Sequence, residues 1–179
     1  LDHYGQYDLR PITEIFWEDF EGSTTWLHGG TEDDWEMGTP GYSNIFAHSG
    51  GHCYGTNLHA TYSANADSWL ETPPIDLSGL SCAYFSFWVW NDVHDCEQGC
   101  AYDPLWMEIS TDGGLKFIPY SSHMAGASDD PDIPKVGGWS QVVHDLTPYT
   151  DKTVKIRFRF SSDDATEYAG SYIDDVRVY

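Results

Sequence analysis

The chain of 179 residues lies within the range of a single domain, long enough to bury roughly two-thirds of the surface its unfolded form exposes. Its 29 Asp and Glu against 8 Lys and Arg give a formal net charge of −21, which repels phosphate backbones and anionic membrane surfaces and so argues against nucleic-acid binding. Aromatic side chains make up 16% of the chain, whereas strong helix formers such as Lys are scarce, and that balance favours sheet over helix.

In chain order, a first strand is expected at about 15–20, then a loop at Gly29-Gly30, a strand at 51–58 and another at 68–71 before Pro73-Pro74. The run Ala83-Tyr-Phe-Ser-Phe-Trp-Val-Trp90 has no polar face apart from Ser86. It therefore reads as a central strand covered on both sides, with Trp88 and Trp90 in the core. Asp112-Gly113-Gly114 between 105–111 and 115–119 predicts a hairpin with an Asp-Gly turn. A loop rich in Ser, Asp, Pro and Gly follows at about 121–138, then a strand at 139–144.

The clearest periodicity is Val154-Lys-Ile-Arg-Phe-Arg-Phe160, which sends Val154, Ile156, Phe158 and Phe160 one way and Lys155, Arg157 and Arg159 the other, a half-buried strand. The last strand is expected at 171–178. Many short strands separated by Gly, Pro and Asp, with no helix-length amphipathic segment, predict an all-β fold, an antiparallel β-sandwich of jelly-roll type. Residues 1–14 form an N-terminal extension and 15–179 one domain.

Several segments occur in an order that resembles a known family: Trp17-Glu-Asp-Phe-Glu-Gly22, Ala47-His-Ser-Gly50, Gly55-Thr-Asn-Leu58, Thr72-Pro-Pro-Ile-Asp-Leu-Ser78 and Ser86-Phe-Trp88. Ile109-Ser-Thr-Asp-Gly-Gly114, Trp139, Asp145-Leu-Thr-Pro-Tyr149, Ile156-Arg-Phe-Arg-Phe160 and Tyr172-Ile-Asp-Asp-Val176 complete the set. Together they resemble MAM-like jelly-roll domains of bacterial secreted proteins, such as those accompanying immune inhibitor A-type metallopeptidases and the cleaved adhesin domains of gingipains. The resemblance implies a non-catalytic module for adhesion or for protein or carbohydrate contact, commonly with calcium where the first and last strands meet. The chain departs from the pattern at Cys96-Glu-Gln-Gly-Cys100 and at Asp103-Pro104, so a function placed in that loop does not carry over.

In the last strand, alternation puts Tyr172, Asp174, Val176 and Val178 on one face and Ile173, Asp175 and Arg177 on the other. Asp174 then shares a face with apolar residues and must be neutralised, hydrogen-bonded or metal-bound. The resemblance places the first strand, with Glu18, Asp19 and Glu21, beside the last. Calcium takes roughly six to eight oxygens, carboxylates prominent among them, so the metal ligands expected are Asp19, Glu21 and Asp174, with Asn57 and a carbonyl near Ser49 as further candidates. The competing reading leaves these acids solvated or paired with Arg177.

The four cysteines are even in number, and the chain shows neither a transmembrane run nor a signal peptide, which reads as mature secreted material from an oxidising compartment. Cys96 with Cys100 and Cys53 with Cys82 are the expected disulfides, although three connectivities are possible. A mixed zinc site using His52, Cys53, His94 and Cys96 is the alternative. His48 and His52 are separated by Gly50-Gly51 and lack the His-Glu-x-x-His pattern, Ser49 beside His48 has no Gly-x-Ser-x-Gly elbow, and no catalytic signature is present. Trp26, Trp35 and Trp106 are the candidates for a ligand-contact surface.

The function expected is an extracellular recognition or adhesion module, held together by calcium, whose partner is a protein or a glycan. The alternative is a self-assembling structural subunit of a calcium-dependent extracellular polymer or surface layer. Its motive is charge asymmetry: residues 1–151 hold 24 acids and 3 bases, and 152–179 hold 5 of each. The basic row of Lys155, Arg157 and Arg159 would then meet an acidic face of another copy, and Leu1 to Thr13 could reach a neighbour.

Overall fold

The computed structural model describes residues 13–96, 100–120 and 138–179, with the side chains of residues 95, 96, 100 and 101 excepted. Among these residues fourteen strands run in the order β1 (Phe16–Glu18), β2 (Leu27–Thr31), β3 (Trp35–Gly38), β4 (Cys53–Thr56), β5 (Asp67–Glu71), β6 (Ile75–Asp76) and β7 (Tyr84–Asp92). They continue with β8 (Asp95–Cys96), β9 (Cys100–Ala101), β10 (Leu105–Ser110), β11 (Ile118–Pro119), β12 (Ser140–Asp145), β13 (Thr153–Ser161) and β14 (Gly170–Val178). Among the described residues the only helical element is the 3-10 turn Thr147–Tyr149, and no helix is long and apolar enough to cross a membrane.

All strands but β8 and β9, which pair only with each other, form two antiparallel sheets packed as a jelly-roll sandwich. Sheet one has the order β12-β7-β14-β4-β3 with β1 also paired to β14; sheet two has the order β11-β10-β13-β5-β2 with β6 also paired to β13. First and last strands are neighbours, in register from Phe16↔Val178 to Glu18↔Val176.

The inter-sheet core is built by alternation. Val154, Ile156, Phe158 and Phe160 of β13 face Phe85, Phe87 and Val89 of β7 and Ile173, Val176 and Val178 of β14 in one buried cluster. Phe158 sits at its centre, stacked on Trp26 with ring centroids 6.3 Å apart and edge-on to Phe87 at 4.8 Å. Such aromatic pairs add to the area term that drives burial.

Sheet one carries a second apolar layer on its outer side. Ile45, Cys53, Leu58, Ala169 and Tyr172 are buried there, with Tyr42, Ala47, Trp90 and Trp139 packed against them. Trp88 and Trp90 belong to this outer layer, half-buried, rather than to the inter-sheet core expected for them. Trp88 instead carries the His48 ring stacked at 3.8 Å.

Three further expectations are corrected by the structure. Gly29-Gly30 lies within strand β2, not a loop, because the Trp69 ring crosses over Gly29 and Gly30 takes a φ of +123° where a Cβ would collide with the Asp67 carbonyl oxygen; only glycine permits that pairing. The hairpin around Asp112-Gly113-Gly114 forms, β10 pairing with β11 at Ile109↔Ile118, but its second strand is shorter than the expected 115–119: β11 starts only at Ile118, and Leu115 is exposed. Ser110 and Asp112 turn the chain with side-chain bonds to the Gly114 and Lys116 amides, 2.9 and 3.0 Å.

The third correction concerns the phase of β14. A bulge between Asp174 and Arg177 puts Asp175 at a φ of +48°, and the extra residue reverses the alternation beyond it. Tyr172 and Asp174 therefore lie on the outer face, while Val176 and Val178 enter the inter-sheet core.

Candidate functional site

The bulge delivers two adjacent carboxylates to the junction of β1, β14 and the loop 48–52. Asp174 is fully buried, and its Oδ2 accepts the His48 and Ser49 amides at 2.9 and 3.2 Å while Oδ1 accepts the Asp175 amide at 2.8 Å. Asp175 receives the Ser49 hydroxyl at 2.9 Å and the His48 imidazole Nδ1. Glu21 reaches in from the turn after β1, its Oε1 accepting the Gly51 and His52 amides at 2.7 Å each. Gly50 is held at a φ of +56° where a Cβ would run into the Glu21 carboxylate, so the loop closes on that side chain only with glycine.

Burial pushes the Asp174 carboxyl up to about 6, against the opposing pull of the three amides. Glu21 goes the other way, held low by the Gly51 and His52 amides. Burial first, and then the Asp174 and Glu21 charges, raise the Cys53 thiol. Arg177 does not pair with these acids; its guanidinium lies over the Trp17 ring at 3.9 Å.

Of the expected metal ligands, Glu21 and Asp174 come to this junction and Asp19 stands at its edge, accepting the Glu21 amide at 3.2 Å. Asp19, Glu21 and Asp174 are not gathered with oxygens all within 4.8 Å of one another. Asn57 lies elsewhere: its Oδ1 caps the amides of His59 and Ala60 at 3.1 and 3.0 Å and its Nδ2 donates to the Thr61 carbonyl at 3.2 Å. Asp175, absent from the expected set, was hidden by the bulge.

The expected Cys53–Cys82 bridge does not form. Cys53 is buried under the outer layer of sheet one and Cys82 is exposed in the turn before β7, both as free thiols. A buried thiol raised in this way stays protonated and inert. Cys96 and Cys100 are cross-strand partners of the β8–β9 hairpin, and their side chains lie outside the described residues. The extension 1–12 and most of the 121–138 loop lie outside them as well.

The outer face of sheet two holds a second arrangement, a groove of about 390 Å³ lined by Gly30, Thr31, Asp67, Trp69, Glu108, Phe117, Arg157 and Arg159. Arg157 is clasped between Phe117 and Trp69, 3.6 and 4.7 Å from the ring centroids. The basic row is paired with acids of its own sheet. Glu71 takes Lys155 and Arg157 at 2.7 and 3.0 Å, and Asp67 binds Arg159 by two bonds at 2.7 and 2.8 Å. Glu108 stands 4.0 Å from Arg157 and 3.8 Å from Arg159.

Two of the three expected contact tryptophans are core residues: Trp26 is 5% and Trp35 1% exposed. Trp106 alone stays at the surface, level with Arg159 on this face. Trp69 escaped notice, although alternation in Asp67-Ser68-Trp69-Leu70-Glu71 sets it beside two acids on the polar side.

No family model matches the chain. It is 28% identical over 166 residues to Bacillopeptidase F of Bacillus subtilis (strain 168), covering 92% of this chain and 11% of that protein. The chain thus spans about a tenth of the length of that curated relative. The K1 cleaved adhesin domain of Lys-gingipain from Porphyromonas gingivalis W83 shares the fold with a TM-score of 0.61 at 18% identity, covering 92% of this chain and 96% of that one. TmCBM61, solved in complex with β-1,4-galactotriose, does so with a TM-score of 0.52 at 14% identity, covering 90% of each chain. The jelly-roll fold expected from the strand pattern and the resemblance is thereby shown.

Proposed function

We propose that this chain is a non-catalytic recognition module of a secreted protein, binding an oligosaccharide across the outer face of sheet two and stapled by calcium at the β1–β14 junction. The groove carries the first part. Sugar rings present apolar faces that stack on aromatic side chains, and their hydroxyls pair with carboxylates and guanidinium groups. Trp69 and Phe117 supply the aromatic surface, Asp67, Glu108 and Arg159 the polar partners, and Trp106 extends the same face. The presence of β-1,4-galactotriose on TmCBM61 supports this ligand class.

For calcium, the supporting observation is a fully buried Asp174 whose partners are amides rather than a cation. Asp174, Glu21 and Asp19 would hold the ion, with Asp175 beside them. Oxygen donors of this kind suit a hard cation, which would supply charge neutralisation and a tie between first and last strands. The adjacent His48 and Ser49 are not a nucleophile–base couple, since both side chains bind Asp175. Partial coverage of Bacillopeptidase F supports placement within a larger protein.

Affinity electrophoresis in gels cast with β-1,4-galactan and other polysaccharides tests the ligand. Retardation that disappears in Trp69→Ala and persists in Val143→Ala, on the opposite sheet, is the expected result. Mobility unchanged in every polysaccharide, or retardation indifferent to Trp69→Ala, overturns the groove assignment.

A further inference from the structure

Three loops joined to strands of both sheets bring together His94 after β7, Asp103 before β10 and Asp163 after β13. One ligand atom from each lies within 4.8 Å of the other two. We propose that these three residues form a site for a first-row divalent transition metal, with zinc as the probe, distinct from the carboxylates of the β14 bulge.

The ligands are pre-positioned. Asp103 is 1% exposed and fixed through both oxygens, accepting the Tyr62 hydroxyl at 2.6 Å on Oδ2 and the Asp163 amide at 2.7 Å on Oδ1. Each bond occupies one lone pair and leaves another, so the carboxylate is oriented without being consumed. The His94 amide donates to the same Tyr62 oxygen at 3.1 Å, and the His94 carbonyl accepts the Tyr102 and Asp103 amides at 3.1 Å, pinning the loop that carries the imidazole. Asp163 is set in turn by the Ala165 amide at 2.8 Å.

Two features point to a cation. The Asp103 and Asp163 carboxylates bring oxygens within 4.8 Å of each other, a like-charge pairing that a cation relieves. The Nδ1 of His94 is buried and has no hydrogen-bond partner among the described residues, a cost a metal-bound imidazole avoids. One imidazole with two carboxylates is the donor set of borderline metals such as zinc, whereas an all-oxygen set suits calcium. Three protein ligands leave a coordination position open. Tyr102 and Tyr168, 52% and 39% exposed, flank the imidazole at 4.7 and 6.0 Å and wall that side.

Isothermal titration of the chelator-stripped 179-residue chain with zinc, calcium being present in excess throughout, tests the site. One zinc equivalent is expected in the wild type, weakened at least about 10-fold in both His94→Ala and Asp163→Asn and unchanged in Asp174→Asn. Matching circular dichroism without zinc shows that the variants fold; Asp163→Asn keeps the side-chain shape if His94→Ala fails that check. Zinc should also raise the wild-type melting temperature, and raise that of Asp163→Asn less at the same zinc concentration. No zinc equivalent in the wild type, uptake indifferent to both substitutions (as thiol binding would give), or loss confined to Asp174→Asn overturns the proposal.

Discussion

Removing metal and raising the pH should weaken this protein through one residue, Asp174. Burial moves its carboxyl from 3.8 up to about 6, so between those values the native state keeps a proton that the unfolded chain has lost. The sign follows: the contribution is complete below the unfolded value and is lost as the pH climbs through the folded one. The whole shift amounts to about 3 kcal/mol, of which roughly half falls between about pH 5 and about pH 7.5. Urea denaturation in chelator measures it, with Asp174→Asn as the control that shares the self-repulsion of a chain of net charge −21. The wild type should lose about 1–2 kcal/mol more than the variant across that window, and excess calcium should abolish the difference, because the ion favours the ionised carboxylate. Parallel curves for wild type and variant in chelator, or a wild type that gains on the variant as pH rises, would refute the reasoning.

Phe158→Ala empties the middle of the core, where Trp26, Phe85 and Phe87 all touch that ring, and should cost about 3–5 kcal/mol in urea unfolding. Gly30→Ala forces a Cβ against the Asp67 carbonyl at a φ of +123° and should cost about 1–3 kcal/mol. Gly51→Ala, where nothing lies within 4 Å, should stay within about 0.5 kcal/mol; thermal melts compare the two. Glu71→Gln strips Lys155 and Arg157 of their shared partner and should cost about 2 kcal/mol, between the values for exposed and buried pairs. Asp67→Asn breaks an exposed pair and should cost less than about 1 kcal/mol, as double-mutant cycles with Arg159→Ala would show.

The sequence alone determined the elements whose signal is local. Val154 to Phe160 alternates without interruption, and the structure keeps each of those side chains on the face alternation assigns, because a regular strand needs only its own period of two to orient its residues. The approach of Glu21 to Asp174 came not from periodicity but from the resemblance, which sets the first strand beside the last. Tertiary structure decided whatever depended on a partner strand. Gly29-Gly30 spells a loop until Trp69 lies over it, and Trp26 and Trp35 read as surface candidates until two sheets close on them. Only the assembled sheet reveals the β14 bulge, since the extra residue is defined by its mismatch with β7. Because a one-residue slip turns every later side chain over, that mismatch carries Val176 into the core, leaves Asp174 under the loop 48–52, and brings Asp175 to its side.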